Sequence, residues 1–434
     1  MLDFSDQVSR RTFCSISAVL AASLVRAAEP AIPITGVANS DLKPFDELMA
    51  TFVEEHKVPG ASLAVARHGK LIYARGFGYA DIEKKEAVQP GSLFRIASVS
   101  KPITAVAALR LVEKGKIGLD DKVVDHMHIE PFLANGAKVD PRWKQITIRH
   151  CLQHTGGWDR KKSFDPIGRA WDIARALGIK PPVRPAHIVR WMMGQPLDFD
   201  PGERIAYSNL GYLILGRIIE AVTGQEYEEH VKKRILAPLG INEMRLGRAL
   251  IENRDPAEVH YYDAKKRMGP SLYPPRLGQR VPAQYGGDNF EAYEAHGGWI
   301  ASAVELVKFA CAFDHPSRCP ILGGKQIQAM WSRPAGLAGT DGDGTPKAAY
   351  YGCGWNVRPI GGMGKLNSWH TGYIGGSEAL LVRRWDGLNW AVLFNTNGDP
   401  PGKSLVNSID AKIHEAANGV KKWPEFDQFA QLLK

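Results

Sequence analysis

The pattern of apolar and polar positions divides the chain into two strand-rich ends around a helical middle. Residues 41–56 place apolar side chains at helical spacing and read as an amphipathic helix. Two runs of β-type composition follow, at 60–67 and 70–76, joined by His68-Gly69, a pair suited to a tight hairpin turn. A strongly apolar helix opens at Ser98 and closes near Gly115. From about 120 to 340 helical patterns dominate, at 147–153, at 210–222 before the stop signal Gly224, and at 303–313. Pro- and Gly-rich loops at 180–185, 269–287 and 334–345 punctuate this stretch. Strand patterns return at 352–358, 377–384 and 389–395, with Trp385-Asp386-Gly387-Leu388 turning between the last two, and a final helix is expected at 404–417. The order predicts an α+β fold: one antiparallel sheet formed from both termini and flanked by helices, with a mostly helical lobe inserted between its halves.

The 434 residues, 44% hydrophobic and 23% charged, suit one large domain. The net charge of +9 is spread along the chain without a Lys/Arg block, which argues for a diffuse basic surface and against a nucleic-acid site. The N-terminus reads as an address. Ser9-Arg10-Arg11-Thr12-Phe13 is a twin-arginine pattern, the apolar stretch 15–25 is too short to span a bilayer, and Val25-Arg26-Ala27 offers small residues for cleavage. Cys14 precedes that stretch, so no lipoprotein anchor is expected, and no other stretch is long enough to cross a membrane. The expected organisation is a signal peptide at 1–27, a linker at 28–39, a catalytic domain at 40–418 and a tail at 419–434, giving a periplasmic or secreted bacterial protein. The remaining cysteines, Cys151, Cys311, Cys319 and Cys353, lack zinc spacing. Cys151 and Cys353 sit in apolar or Gly-flanked contexts and read as core residues. Cys311 and Cys319 bracket a turn and are a candidate disulfide in an oxidising compartment.

Candidate chemistry begins at Ser98-Val99-Ser100-Lys101. A Ser and a Lys three apart at a helix start share one face, and a buried Lys loses its proton readily. Lys101 can then take the Ser98 proton, while free N–H groups at the helix start face the developing charge. A second Ser-x-x-Lys, Ser40 to Lys43, reads as a helix N-cap. Tyr207-Ser208-Asn209 leads into the 210–222 helix; a Tyr hydroxyl can act as general base and an Asn amide can hold a substrate carbonyl. His370-Thr371-Gly372 precedes Tyr373 and the 377–384 strand, where small residues let a substrate lie against a strand edge. His154-Thr155-Gly156 repeats these letters but follows a short helix and reads as structural. His126-Met127-His128 with Asp125 and Glu130 lacks metal-site spacing and reads as a solvated loop. No metal and no cofactor is expected, and neither a Gly-x-Ser-x-Gly elbow nor a phosphate loop occurs.

In order and spacing, the boxes at Ser98, Tyr207 and His370 resemble those of the serine β-lactamase and penicillin-binding-protein superfamily, most of all its class C-type branch of esterases and DD-carboxypeptidases. The stretches Phe94–Ser98, Ile146–His150, Pro238–Ile241 and Gly297–Ser302 are similar to that family too, so the resemblance covers about 40–418. It implies a β-lactamase/transpeptidase-like fold and a serine hydrolase cleaving an ester or amide through a Ser98 acyl-enzyme. Lys101 would accept or relay the proton. Tyr207 would be the base in acylation and position water in deacylation. Asn209 would hold the acyl-side amide, and His370, Thr371, Gly372 and Tyr373 would bind substrate. The backbone N–H groups of Ser98 and Tyr373 would form the oxyanion hole. The implied partners are small-molecule esters, amides or peptides, cell-wall peptides among them. Alternatives are a D-alanyl-D-alanine carboxypeptidase or D-aminopeptidase-like enzyme, and a penicillin-binding or cell-wall sensor without turnover. One departure stands out: the family often carries Lys where this chain has His370. A protonated His370 would then be required to meet a substrate carboxylate, and binding of such substrates would weaken as pH rises through the ordinary imidazole range. Specificity is otherwise expected in loops such as 261–288.

Overall fold

The computed structural model describes residues 32–433 apart from 135 and 363. The expected signal peptide, with its twin-arginine pattern, lies outside the described residues.

The elements used below are, in chain order, β1 (Ile34–Thr35), α1 (Lys43–Glu55), β2 (Gly60–Arg67), β3 (Lys70–Asp81), β4 (Glu86–Ala87), α2 (Ser100–Glu113), α3 (Asn209–Thr223), α4 (Ala303–Cys311), β5 (Tyr350–Tyr351), β6 (Asn356–Pro359), β7 (Leu366–Ile374), β8 (Ser377–Arg383), β9 (Leu388–Phe394) and α5 (Leu405–Gly419). The nine strands form one antiparallel sheet in the order β1-β3-β2-β9-β8-β7-β6-β5, with β4 added to β3. The centre of the sheet joins the two ends of the chain: β9 pairs with β2 from Leu388–Arg67 to Phe394–Ala61. Strands β8 and β9 are buried along their whole length. That explains their near-continuous apolar composition, because both faces are covered. On one face pack α1 and α5, whose apolar stripes meet Leu63, Val65, Val392 and Phe394. On the other lies α4, with the helical region beyond it.

His68 and Gly69 both take positive φ, 49° and 79°, as a tight two-residue hairpin between right-twisted strands requires. Helix α3 ends at Gly224 in the left-handed conformation, matching its expected stop. Other expectations need correction. Ser40 caps nothing: the side chain of Asn39 accepts from the Asp41 N–H, and α1 begins at Lys43 after a short 3-10 turn. Residues 34–35, expected in a linker, form β1 on the edge of β3. Part of the expected tail also joins the domain, through Gln428 N–H to the Leu71 carbonyl at 2.9 Å and the buried Phe429. Helix α4, read as part of the inserted lobe, packs on β2 and β9 instead. The expected Cys311–Cys319 bridge is absent; both are free thiols, and Cys311 accepts from the Asn389 amide.

Candidate active site

Ser98 sits in a 3-10 turn, Ala97–Val99, that runs straight into α2. Helix α2 is mostly apolar and is buried on all sides as far as Leu109, as a central helix must be. From Ser92 to Leu109 every residue is buried except Ser98, which is half-exposed. A three-stranded sheet of Phe94–Arg95, Trp299–Ala301 and Arg245–Leu246 holds this turn, with the Ile96 N–H bonded to the Trp299 carbonyl at 3.0 Å.

Lys101, one turn into α2, is fully buried. Its Nζ lies 3.0 Å from Ser98 Oγ, 2.9 Å from Asn209 Oδ1 and 2.8 Å from the His296 carbonyl. Burial holds its ammonium well below the usual lysine range; the carboxylate of Asp165 opposes that shift, and Arg160 adds to it. Two of the three partners are obligatory acceptors. A neutral amine therefore donates its two protons to Asn209 and His296 and keeps its lone pair on Ser98. The Asn209 amide is oriented in turn, its Nδ2 donating to Asp165 Oδ2 at 2.7 Å.

Tyr207 arrives from the loop before α3. Its ring lies 4.7 Å from Lys101 Nζ, and its phenol lies close to Ser98. Burial pushes that phenol up, so it rests protonated. His154 braces the loop: its Nδ1 accepts from the Ser208 N–H at 3.2 Å, and its ring packs 4.3 Å from that of Tyr207.

Strand β7 forms the opposite wall. It pairs with β6 only from Leu366 to Trp369, so the edge from His370 to Ile374 has no strand partner among the described residues. Ile374 and Ser377 close a two-residue turn at Gly375-Gly376 and form a hydrogen-bonded pair. Tyr373, opposite Glu378, is then a non-bonded pair, and its N–H points to the free edge. Gly372 allows that edge to approach the Ser98 turn: a Cβ there would lie 2.2 Å from the Ile96 carbonyl oxygen.

A cavity of about 260 Å³ opens over Ser98, lined among others by Asn209, Asp165, Tyr373 and Gly375. His370, Thr371 and Gly372 are absent from its lining. His370 is buried behind the site, its Nδ1 donating to the Thr371 carbonyl at 2.7 Å and its Nε2 accepting from the Tyr351 hydroxyl at 2.9 Å. Both ring nitrogens are used in the neutral form, and burial pushes the imidazole down to about 3. The expectation that a protonated His370 meets a substrate carboxylate is thereby corrected. Sequence reasoning missed Asp165, Arg160, Tyr351, Arg267 and Asp288. It also missed the His296 carbonyl, a backbone group whose role no side chain announces.

The Beta-lactamase family model matches residues 45–414. The chain belongs to the Beta-lactamase family. Penicillin-binding protein 4* of Bacillus subtilis (strain 168) is 35% identical over 206 residues, 47% of this chain and 41% of that protein. Protein flp of Staphylococcus aureus (strain N315) is 30% identical over 210 residues, 47% of this chain and 38% of that protein. The matches thus span about two fifths of these curated relatives. The octameric penicillin-binding protein homologue from Pyrococcus abyssi superposes with a TM-score of 0.61 at 26% identity, covering 86% of this chain and 77% of that one. The D-amino acid amidase from Ochrobactrum anthropi SV3 gives a TM-score of 0.63 at 22% identity, covering 88% of this chain and all of that one, a likeness of fold. The sheet built from both termini and the helices on its two faces are the fold of this Beta-lactamase family, a family of serine hydrolases.

Proposed function

We propose that this Beta-lactamase family member hydrolyses an ester or amide through an acyl-enzyme on Ser98. The observation that carries the reading is the buried Lys101, with Nζ 3.0 Å from Ser98 Oγ and its other two contacts made to fixed acceptors. Ser98 Oγ attacks the substrate carbonyl and passes its proton to Lys101 Nζ. The oxyanion forms between the N–H groups of Ser98 and Tyr373, which face it without reorganisation. Tyr207, protonated at rest, hands a proton to the leaving group and is re-protonated from Lys101. Lys101 is therefore the base of acylation and Tyr207 the relay, the reverse of the order the family resemblance implied. A water then attacks the acyl carbonyl by the same path, releasing the acid. We further place the enzyme in the bacterial envelope, on the twin-arginine pattern at Arg10-Arg11.

The test is intact-mass analysis after treatment with a fluorophosphonate, beside turnover of a nitrophenyl ester. One adduct on Ser98 is expected, absent in Ser98→Ala, with turnover lost by about 10³-fold or more. Labelling or turnover that survives in Ser98→Ala overturns the assignment.

A further inference from the structure

We propose that Asp288 is the specificity residue of this site and that it binds a primary or quaternary ammonium group on the substrate. The inference rests on the acyl-enzyme reading above and names the substrate class it acts on.

Asp288 lines the cavity over Ser98, on the side of Tyr373 and Gly375. A Cβ built on Gly375 would lie 3.4 Å from Asp288 Oδ2 and 3.3 Å from Arg267 Nη2. The two charged groups thus flank the same glycine, immediately beyond the strand edge that carries the Tyr373 N–H. They are not partners: no hydrogen bond or ion pair of the Asp288 carboxylate occurs among the described residues, although Arg267 is close enough to act on it through space. Arg267 is already committed. Its Nε donates to Asp263 Oδ2 at 2.7 Å, and that carboxylate is buried. The guanidinium is therefore paired from behind, while Asp288 meets Arg267 and Arg95 only through space.

The other carboxylate in the lining, Asp165, is also engaged, through the Asn209 amide at 2.7 Å and Arg160 at 3.8 Å. Lys101 is not in this lining, and burial disfavours its ammonium. Asp288 is thus the one carboxylate of the lining without a direct hydrogen-bond or ion-pair partner among the described residues, and Arg267 and Arg95 act on it only through space. Burial already raises the Asp288 carboxyl, which marks the ionised form as short of partners. Such a group discriminates strongly, because a substrate lacking the complementary charge leaves it desolvated and unpaired.

The experiment uses the full chain and two matched substrate pairs. One pair places the charge on the acyl arm, an aminoacyl p-nitroanilide and its N-acetyl form. The other places it on the leaving arm, a choline ester and its neutral 3,3-dimethylbutyl counterpart. Wild type is expected to favour the cationic member of one pair by about tenfold or more in kcat/KM, and Asp288→Asn to erase that preference, read as the ratio between the two members. Asp288→Glu should restore part of it. The pair that responds identifies the arm. Turnover of the neutral members, with fluorophosphonate labelling of Ser98, reports that the variants are folded. No cationic preference in wild type, or a preference that survives Asp288→Asn, overturns this inference alone. Failure to label Ser98 in wild type overturns the acyl-enzyme reading beneath it.

Discussion

At the scale of single residues, Lys101 decides how the site works. A lysine in water holds its proton to high pH, whereas this one is enclosed by α2, α3 and the turn carrying His296, and its ammonium is disfavoured. Only the neutral amine can accept the Ser98 proton. As pH rises through the lowered Lys101 pKa, kcat/KM for an uncharged ester should rise, and the midpoint of that limb should fall below the lysine value of about 10.4. Lys101→Arg keeps a positive charge at every pH. It should lose about 10³-fold or more without recovering in alkaline buffer, because a guanidinium does not deprotonate in proteins. A pH–rate series on both proteins checks this; a variant that regains activity at high pH would assign the base elsewhere. His370 makes the opposite case. Its letters suggested a titrating contact to substrate, and its surroundings make it a neutral strut between Tyr351 and the Thr371 carbonyl.

At the scale of elements, the site depends on how closely β7 approaches the Ser98 turn. The Tyr373 N–H lies on a free strand edge because β6 stops pairing at Trp369, and that edge approaches the Ser98 turn because Gly372 carries no side chain. Gly372→Ala would drive a methyl group into the Ile96 carbonyl at 2.2 Å, so the strand must move away. The expected outcome is a loss of about 1–3 kcal/mol of stability together with a disproportionate fall in kcat, because the strand that moves carries the proposed oxyanion donor. Urea denaturation and steady-state kinetics of the same variant separate the two; unchanged kcat would detach β7 from the oxyanion hole. Strand β7 itself was not legible as a strand. Its run from Leu366 to Ile374 mixes Asn, Ser, His, Thr and Gly, because one edge faces a cavity and one face meets polar tyrosines and histidines.

At the scale of the whole molecule, several buried imidazoles set the acid limit. His154, His296 and His370 are all held below the ordinary histidine value by burial. Below about pH 6.5 the unfolded chain takes up protons that the folded chain refuses. Stability therefore falls as pH drops from about 6.5 towards the folded-state values, by about 1.4 kcal/mol per pH unit for each group. For His370 that window reaches down to about 3. Denaturation curves between pH 7.5 and 4.5 should show this slope, and His370→Gln should flatten it by about 1.4 kcal/mol per unit; an unchanged slope would mean that His370 does not contribute. The proposed N-terminal address belongs to this scale too. Arg10→Lys combined with Arg11→Lys should block appearance of the processed protein in the periplasm, and normal processing would point to another route.

Much of the architecture was legible because local signals agreed with the fold. The positive-φ turn at His68-Gly69, the Gly224 stop and the apolar runs of β2, β8 and β9 are consequences of backbone sterics and double-sided burial, which act on neighbours in sequence. The pairing of Ser98 with Lys101 was legible for the same reason, since residues three apart on a helix must share a face. What tertiary structure alone decided is the environment of those groups. Burial lowers Lys101 only once the fold has closed around it, and its partners, the Asn209 amide and the His296 carbonyl, lie 108 and 195 residues away. The burial of His370 and the unpaired carboxylate of Asp288 likewise arise from elements that meet only after folding. Charge state depends on desolvation and on partners brought in through space, and a sequence pattern carries neither.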